Sequence, residues 1–232
     1  LPQGRAVPVL PGAQDYLPAL GLPPASAATL DLIERALARP ADDPLVVLAL
    51  GCVSNIAAAL LIEPRLVQHL VVVWTSGWPS HAPQRNDSFN LEQDLRATRV
   101  LLDSGVPLVY LPGFQVGAQL RLSLPEMERW VQGQGALGQA LHQLYINNPL
   151  WDLHGIDSFF AHSWVIWDLI CVAWVIDEAW VPSSLVPTPR LDADKRWQRD
   201  DRRLLMREAH GVRRDAIFGD FFRRLQAAAD QS

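Results

Sequence analysis

Short, unbroken apolar runs alternate along this chain with stretches whose apolar positions recur three and four residues apart. The first pattern reads as buried strands and the second as helices with one covered face. Val7–Leu10 predicts a short strand ending at Pro11-Gly12. Ser26 is placed to cap a helix through Ala38, with Leu30, Ile33, Ala36 and Leu37 at helical spacing and Pro40 beyond it. Leu45–Leu50 is the kind of Val- and Leu-rich run expected of a parallel strand covered on both faces. Gly51 turns the chain, and Ser54-Asn55 open an Ala-rich helix to Leu61.

The unit then repeats. A short helical stretch ends at His69, Leu70–Trp74 predicts a second strand, and Gly77–Asp87 is a long polar loop. Leu91–Asp103 predicts a helix closed by Gly105, and Val106–Leu111 a third strand. Residues 41–112 therefore read as β-α-β-α-β with a parallel sheet. The second half predicts helices over Leu124–Gln132, Ala136–Leu144, Trp164–Asp177 and Asp215–Ala228, with a strand at Ser183–Pro189. Trp164–Ile176, WVIWDLICVAWVI, reads as a buried core helix, because a spanning helix needs about 20 apolar residues. No repeat or linker interrupts residues 1–232, so one α/β domain is the simplest organisation.

Composition narrows the function. Apolar residues make up 49% and charged residues 19%, which suits a folded core. A net charge of −5 and scattered Lys and Arg argue against nucleic acid as a partner. The cysteines, Cys52 and Cys171, sit in apolar runs without a CxxC partner and read as buried reduced thiols, which suits a cytoplasmic setting.

Ligands of an open parallel sheet bind beyond the carboxyl ends of its strands. The first such turn, Leu50-Gly51-Cys52-Val53-Ser54-Asn55, has one glycine and no lysine, so both phosphate-binding glycine motifs are absent. The second place holds Asp87-Ser88-Phe89-Asn90-Leu91-Glu92-Gln93-Asp94. Two readings fit it: Asp87 or Ser88 caps the following helix, or the cluster contacts a ligand. Asp168 is costly inside an apolar helix unless it is paired, protonated or bound to a cation.

These segments resemble the inosine-uridine-preferring nucleoside hydrolase family. Leu48 to Ala57 is similar to the family's LxxGPLTNIA signature, and Ser88-Phe89-Asn90 with Asp94 to its EFN-x-x-x-D motif. Ser104-Gly105-Val106-Pro107-Leu108 resembles its SGIPI strand entry. Val165-Ile166-Trp167-Asp168, with Ala173 and Val175, resembles the late helix that reads HDPxA or, in one bacterial branch, VIWD, and Arg214–Phe218 resembles that branch's C-terminal helix. The likeness runs from Val7 to about Leu225.

The resemblance implies a doubly wound, mainly parallel α/β sheet with extra C-terminal helices, working as a homo-oligomer in nucleoside salvage. Its members hydrolyse the N-glycosidic bond of ribonucleosides with Ca²⁺, and charge develops on the ribose as an oxocarbenium ion. Carried over, Leu50 would offer its backbone carbonyl and Asp168 its carboxylate to the metal. Asn90 would bond the ribose, Ser88 would stand beside it in place of the motif's glutamate, and Trp167 would stack on the base. Asp94 and Asn55 would support the loops, and base contacts would come from Trp151–His162. The family's opening DTDxGxDD, which carries most Ca²⁺ ligands and the water-activating aspartate, has no match in the chain. The resemblance thus implies that the opening strand of the fold is missing and that the chain is inactive alone, or that it is a non-catalytic relative. Cys52, Ser88 and Trp78 stand where the family has other residues, and Trp78 is a candidate to obstruct the pocket.

Overall fold

A computed structural model describes residues 7–153, 155 and 163–230. In chain order its helices are α1 Ala27–Leu37, α2 Ser54–Ile62, α3 Phe89–Glu92, α4 Leu95–Asp103, α5 Leu124–Met127, α6 Gly135–Ile146, α7 Leu150–Leu153, α8 Leu169–Ile176 and α9 Arg214–Ala229. The strands are β1 Leu45–Ala49, β2 Leu70–Ser76, β3 Leu108–Pro112, β4 Arg121–Ser123 and β5 Ser163–Val165. They continue with β6 Ser183–Pro187, β7 Arg190–Leu191, β8 Trp197–Gln198 and β9 Leu205–Ala209.

The chain forms two compact units. The larger, Pro8–Gly117 with Trp167–Val212, is built on a five-stranded sheet of order β1-β2-β3-β9-β6. β1, β2, β3 and β9 run parallel, and β6 pairs antiparallel with β9. Side chains alternate across such a sheet. Val72, Trp74, Leu108 and Tyr110 join α1, α2 and α4 in one apolar core. The intervening Val73, Thr75, Val109 and Leu111 are buried on the other face, and α8 packs against β1 and β2 outside that core. Helices on both faces of a mainly parallel sheet give the doubly wound α/β class that the sequence predicts.

The smaller unit, Leu1–Val7, Ala118–Ile166 and Arg213–Ser232, pairs β4 with β5 and packs α6 against α9. Ser123 and Glu126 form a reciprocal capping box at α5, whose last turn widens to a π-helix over Glu128–Gln132. Arg214 joins the box, donating to Glu126 at 2.6 Å.

Several expectations are corrected. Val7–Leu10 is not a strand, because Pro8 and Pro11 lack amide donors and no ladder partner lies beside it among the described residues. Leu45–Leu50 is covered only in part, because it lies at an edge of the sheet. β1 pairs with β2 alone among the described residues, and Val46 keeps 45% of its surface exposed. The Leu91–Asp103 helix breaks between Glu92 and Leu95. Trp164–Ile176 is not one buried helix: Ser163–Val165 is strand, Trp167-Asp168 a turn, and α8 starts at Leu169. Val172, Val175 and Ile176 face solvent on α8. Cys171 is buried, but Cys52 is only half-buried and lies 3.2 Å from the Ser54 hydroxyl.

Candidate functional site

The carboxyl ends of β1 and β2 are tied by one side chain. The Asn90 amide nitrogen donates to the Leu50 carbonyl at 3.2 Å and to the Thr75 carbonyl at 3.0 Å. Beneath it Ser88 and Ser76 share a buried hydroxyl–hydroxyl bond of 3.0 Å. Ser88 therefore reaches a neighbouring hydroxyl and caps no helix with its side chain.

The cap expected of Asp87 or Ser88 comes instead from Asp94. Its carboxylate accepts from the Ala97 amide at 2.9 Å, the Ser54 hydroxyl at 2.7 Å and the Leu17 amide at 2.8 Å. One buried carboxylate thus joins the starts of α4 and α2 to the N-terminal segment. Asn55 works the same way, accepting from the Ala13 amide at 2.8 Å and the Ser26 hydroxyl at 3.1 Å. Asp87 is drawn outward by Lys195, whose ammonium lies 2.5 Å away and holds the carboxyl below its ordinary range, with help from Arg85.

Asp168 sits at the head of α8, where the helix dipole favours a negative group. Its side chain makes no capping bond. Desolvation by surrounding protein raises its carboxyl above the ordinary range, although one side stays in solvent. Cys171, one turn on, is pushed up to about 12, chiefly by burial and then by the Asp168 charge, against an opposing pull from the Thr75 amide. That thiol is an inert packing group. The same contact places α8 against Thr75, whose carbonyl Asn90 holds together with that of Leu50. The turn after β1, the loop carrying Asn90 and the head of α8 therefore belong to one cluster.

Three aromatic rings adjoin it. Trp167 meets Phe114 edge-on at 6.3 Å, and Phe114 meets Trp78 at 5.0 Å. Trp78 is anchored through its backbone: its amide donates to Asn86 at 2.8 Å, and its carbonyl accepts from Tyr110 at 2.9 Å and Trp197 at 2.8 Å. Gly77 allows this turn with φ +50°, and an added Cβ would meet the Asn86 side chain at 2.6 Å.

The family model described as inosine-uridine preferring nucleoside hydrolase matches residues 4–215. The chain belongs to that family. Among solved structures it is similar to an inosine-uridine preferring nucleoside hydrolase from Bacillus anthracis, at 18% identity and a TM-score of 0.69. That alignment covers 90% of this chain and 67% of the other. A purine-preferring ribonucleoside hydrolase from Gardnerella vaginalis aligns at 22% identity and a TM-score of 0.71, over 89% of this chain and 67% of its own. The plant nucleoside hydrolase PpNRh1 aligns at 15% and 0.73, over 86% and 67%. At these identities the likeness is one of fold. No functionally curated protein matches the chain.

As a nucleoside hydrolase-family chain it presents an incomplete donor set for Ca²⁺. The cation takes six to eight oxygens, in general. The cluster offers the Asp168 carboxylate and the Leu50 carbonyl, and the latter already accepts from Asn90. No group of three or more His, Cys, Asp or Glu converges as a metal site among the described residues. These residues alone do not fit a complete Ca²⁺ site. Of the predicted base-contact segment, Trp151–Leu153 forms α7, while residues 154 and 156–162 lie outside the described residues. No described helix is long and apolar enough to cross a membrane.

Sequence reading placed Ser54 at a helix start without its bond to Asp94, and did not single out Ser76 or Phe114. A serine at a strand end and a phenylalanine after a strand carry no chemical signal until folding sets them beside Ser88 and Trp167.

Proposed function

We propose that the chain binds a ribonucleoside at the carboxyl ends of β1 and β2, as the sugar- and base-holding side of an N-ribohydrolase. The observation that carries this reading is the Asn90 amide linking the Leu50 and Thr75 carbonyls beside the head of α8. Its oxygen has no protein donor among the described bonds and is free to take a ribose hydroxyl. Trp167, with Phe114 behind it, offers a face for the base. An indole is no general acid near neutral pH, so Trp167 holds the leaving base without protonating it.

Hydrolysis to ribose and free base takes a water-activating carboxylate and more metal ligands than these residues supply. The 232-residue chain alone therefore binds Ca²⁺ weakly and does not turn nucleosides over. Calorimetric titration with Ca²⁺ and a ribose-release assay on inosine and uridine test this. Steady turnover by the purified chain sinks it.

A second reading, a non-catalytic relative kept for ligand binding, is favoured by the Ser76–Ser88 bond, which closes the position of the motif's glutamate. Under it, Ser88→Glu leaves nucleoside affinity unchanged. Under the first reading that substitution strengthens binding, because a carboxylate regains the sugar hydroxyls. The reduced cysteines agree with a cytoplasmic protein. The apolar open side of β1 agrees with self-association.

A further inference from the structure

A groove of about 450 Å³ runs along α4 beside the end of α2, with Leu60, Leu61, Val67 and Val100 in its walls. Arg96 and Arg99 enter it from positions three apart on α4, which places them side by side. Both are partly buried. The Arg96 Nη1 atom is shut away from solvent with no hydrogen-bond partner. Arg99 donates to the carbonyls of Leu191 at 3.2 Å and Asp192 at 2.8 Å, which fix it without neutralising it. The acid lining the groove, Asp103, is engaged by Arg203 at 2.5 Å. Among the described residues, no carboxylate pairs with Arg96 or Arg99, in a chain whose net charge is −5.

A guanidinium nitrogen shut away from water without an acceptor, as Arg96 Nη1 is, is costly. The group that relieves it best is a phosphate or carboxylate, whose paired oxygens match the guanidinium fork. The apolar walls add a gain for a ligand carrying hydrocarbon or an aromatic ring. None of Leu50, Asn55, Ser88, Asn90, Asp94, Trp167 or Asp168 lines this groove.

We propose that the α4 groove is a second ligand site, for a small organic anion whose phosphate or carboxylate sits on Arg96 and Arg99 and whose apolar body lies on Leu60, Leu61 and Val100. Titration of the full chain with phenyl phosphate, benzoate and inorganic phosphate at fixed ionic strength tests it. At least one aromatic anion binds at a single site, about tenfold tighter than inorganic phosphate, from burial of the ring. Arg96→Met and Arg99→Met each weaken that binding about tenfold or more, the loss expected for a charge-assisted bond. Leu61→Trp keeps both charges, fills the groove and abolishes binding of the aromatic anion. Because Arg96 lacks a partner in the free protein, Arg96→Met leaves the ligand-free melting temperature unchanged or raised, and removes its rise with ligand. Absence of saturable binding by both aromatic anions overturns the proposal. So does undiminished binding by folded Arg96→Met, or a lower ligand-free melting temperature in that variant.

Discussion

Asp94 does the work of three separate contacts, since the Ala97 amide, the Ser54 hydroxyl and the Leu17 amide all end on it. Removing it strands two buried donors and a partly buried one at once. Asp94→Ala is expected to cost about 2–4 kcal/mol in urea unfolding, more than a simple cap, and Asp94→Asn to recover part of this. The sequence pointed to the right eight residues and the wrong cap, because the helix break between Glu92 and Leu95 leaves no trace in apolar spacing. Asp168 yields a pH prediction. Its carboxyl is raised in the folded chain from an ordinary 3.8, so the folded state binds its proton more tightly than the unfolded state does. That contribution to stability is present at low pH and is lost as pH rises above 3.8 through the folded value. Asp168→Asn is therefore expected to stabilise the chain at pH 7, and the gain to shrink towards pH 3.8. Thermal melts of both proteins across that range check it, and a gain that grows on acidification contradicts it.

Among the elements, the legible ones are those whose signals are local. β1, β2 and β3 are apolar runs between turn residues, and α1 is announced by Ser26, whose hydroxyl accepts from the Thr29 amide. The illegible ones depend on distant partners. β5 pairs with Arg121–Ser123, some forty residues earlier, so Trp164 and Val165 leave the helix that their composition suggests. β9 carries Arg207 and Glu208 and is not predicted from the apolar pattern, yet it fills the sheet between β3 and β6. Glu208 is buried there because the Ser80 amide reaches both its oxygens, at 3.1 and 3.2 Å. Ser80 belongs to the loop that Gly77 begins. Gly77→Ala sets a Cβ against Asn86 and the Tyr110 hydroxyl at positive φ, and a loss of about 2 kcal/mol or more is expected. Urea unfolding measures the loss, and altered tryptophan emission reports release of Trp78. An unchanged midpoint would show that the turn relaxes without strain.

For the whole molecule, the order of motifs said more than any single one. The turn after β1, the Ser88–Asp94 cluster and the Trp167-Asp168 turn are far apart in sequence, and the doubly wound sheet gathers them at its strand ends. The family model spans residues 4–215, and relatives of under 25% identity share the fold. The Ca²⁺ donor set does not follow from the fold, because the cluster itself offers one carboxylate and one carbonyl where the cation takes six to eight oxygens, in general. A ligand held tightly by the folded state alone raises its melting temperature. Millimolar CaCl₂ is accordingly expected to leave the melting temperature of this chain unchanged, and a rise of several degrees would reveal a fuller metal site.

The most direct test of nucleoside recognition is a fluorescence titration of the chain with inosine, following the tryptophan signal. The site described here predicts saturable quenching that is lost in Trp167→Phe, with affinity falling about fivefold or more in Asn90→Ala, as for one or two lost hydrogen bonds. Saturable quenching with equal affinity in wild type and Asn90→Ala, or none at any inosine concentration, would contradict it.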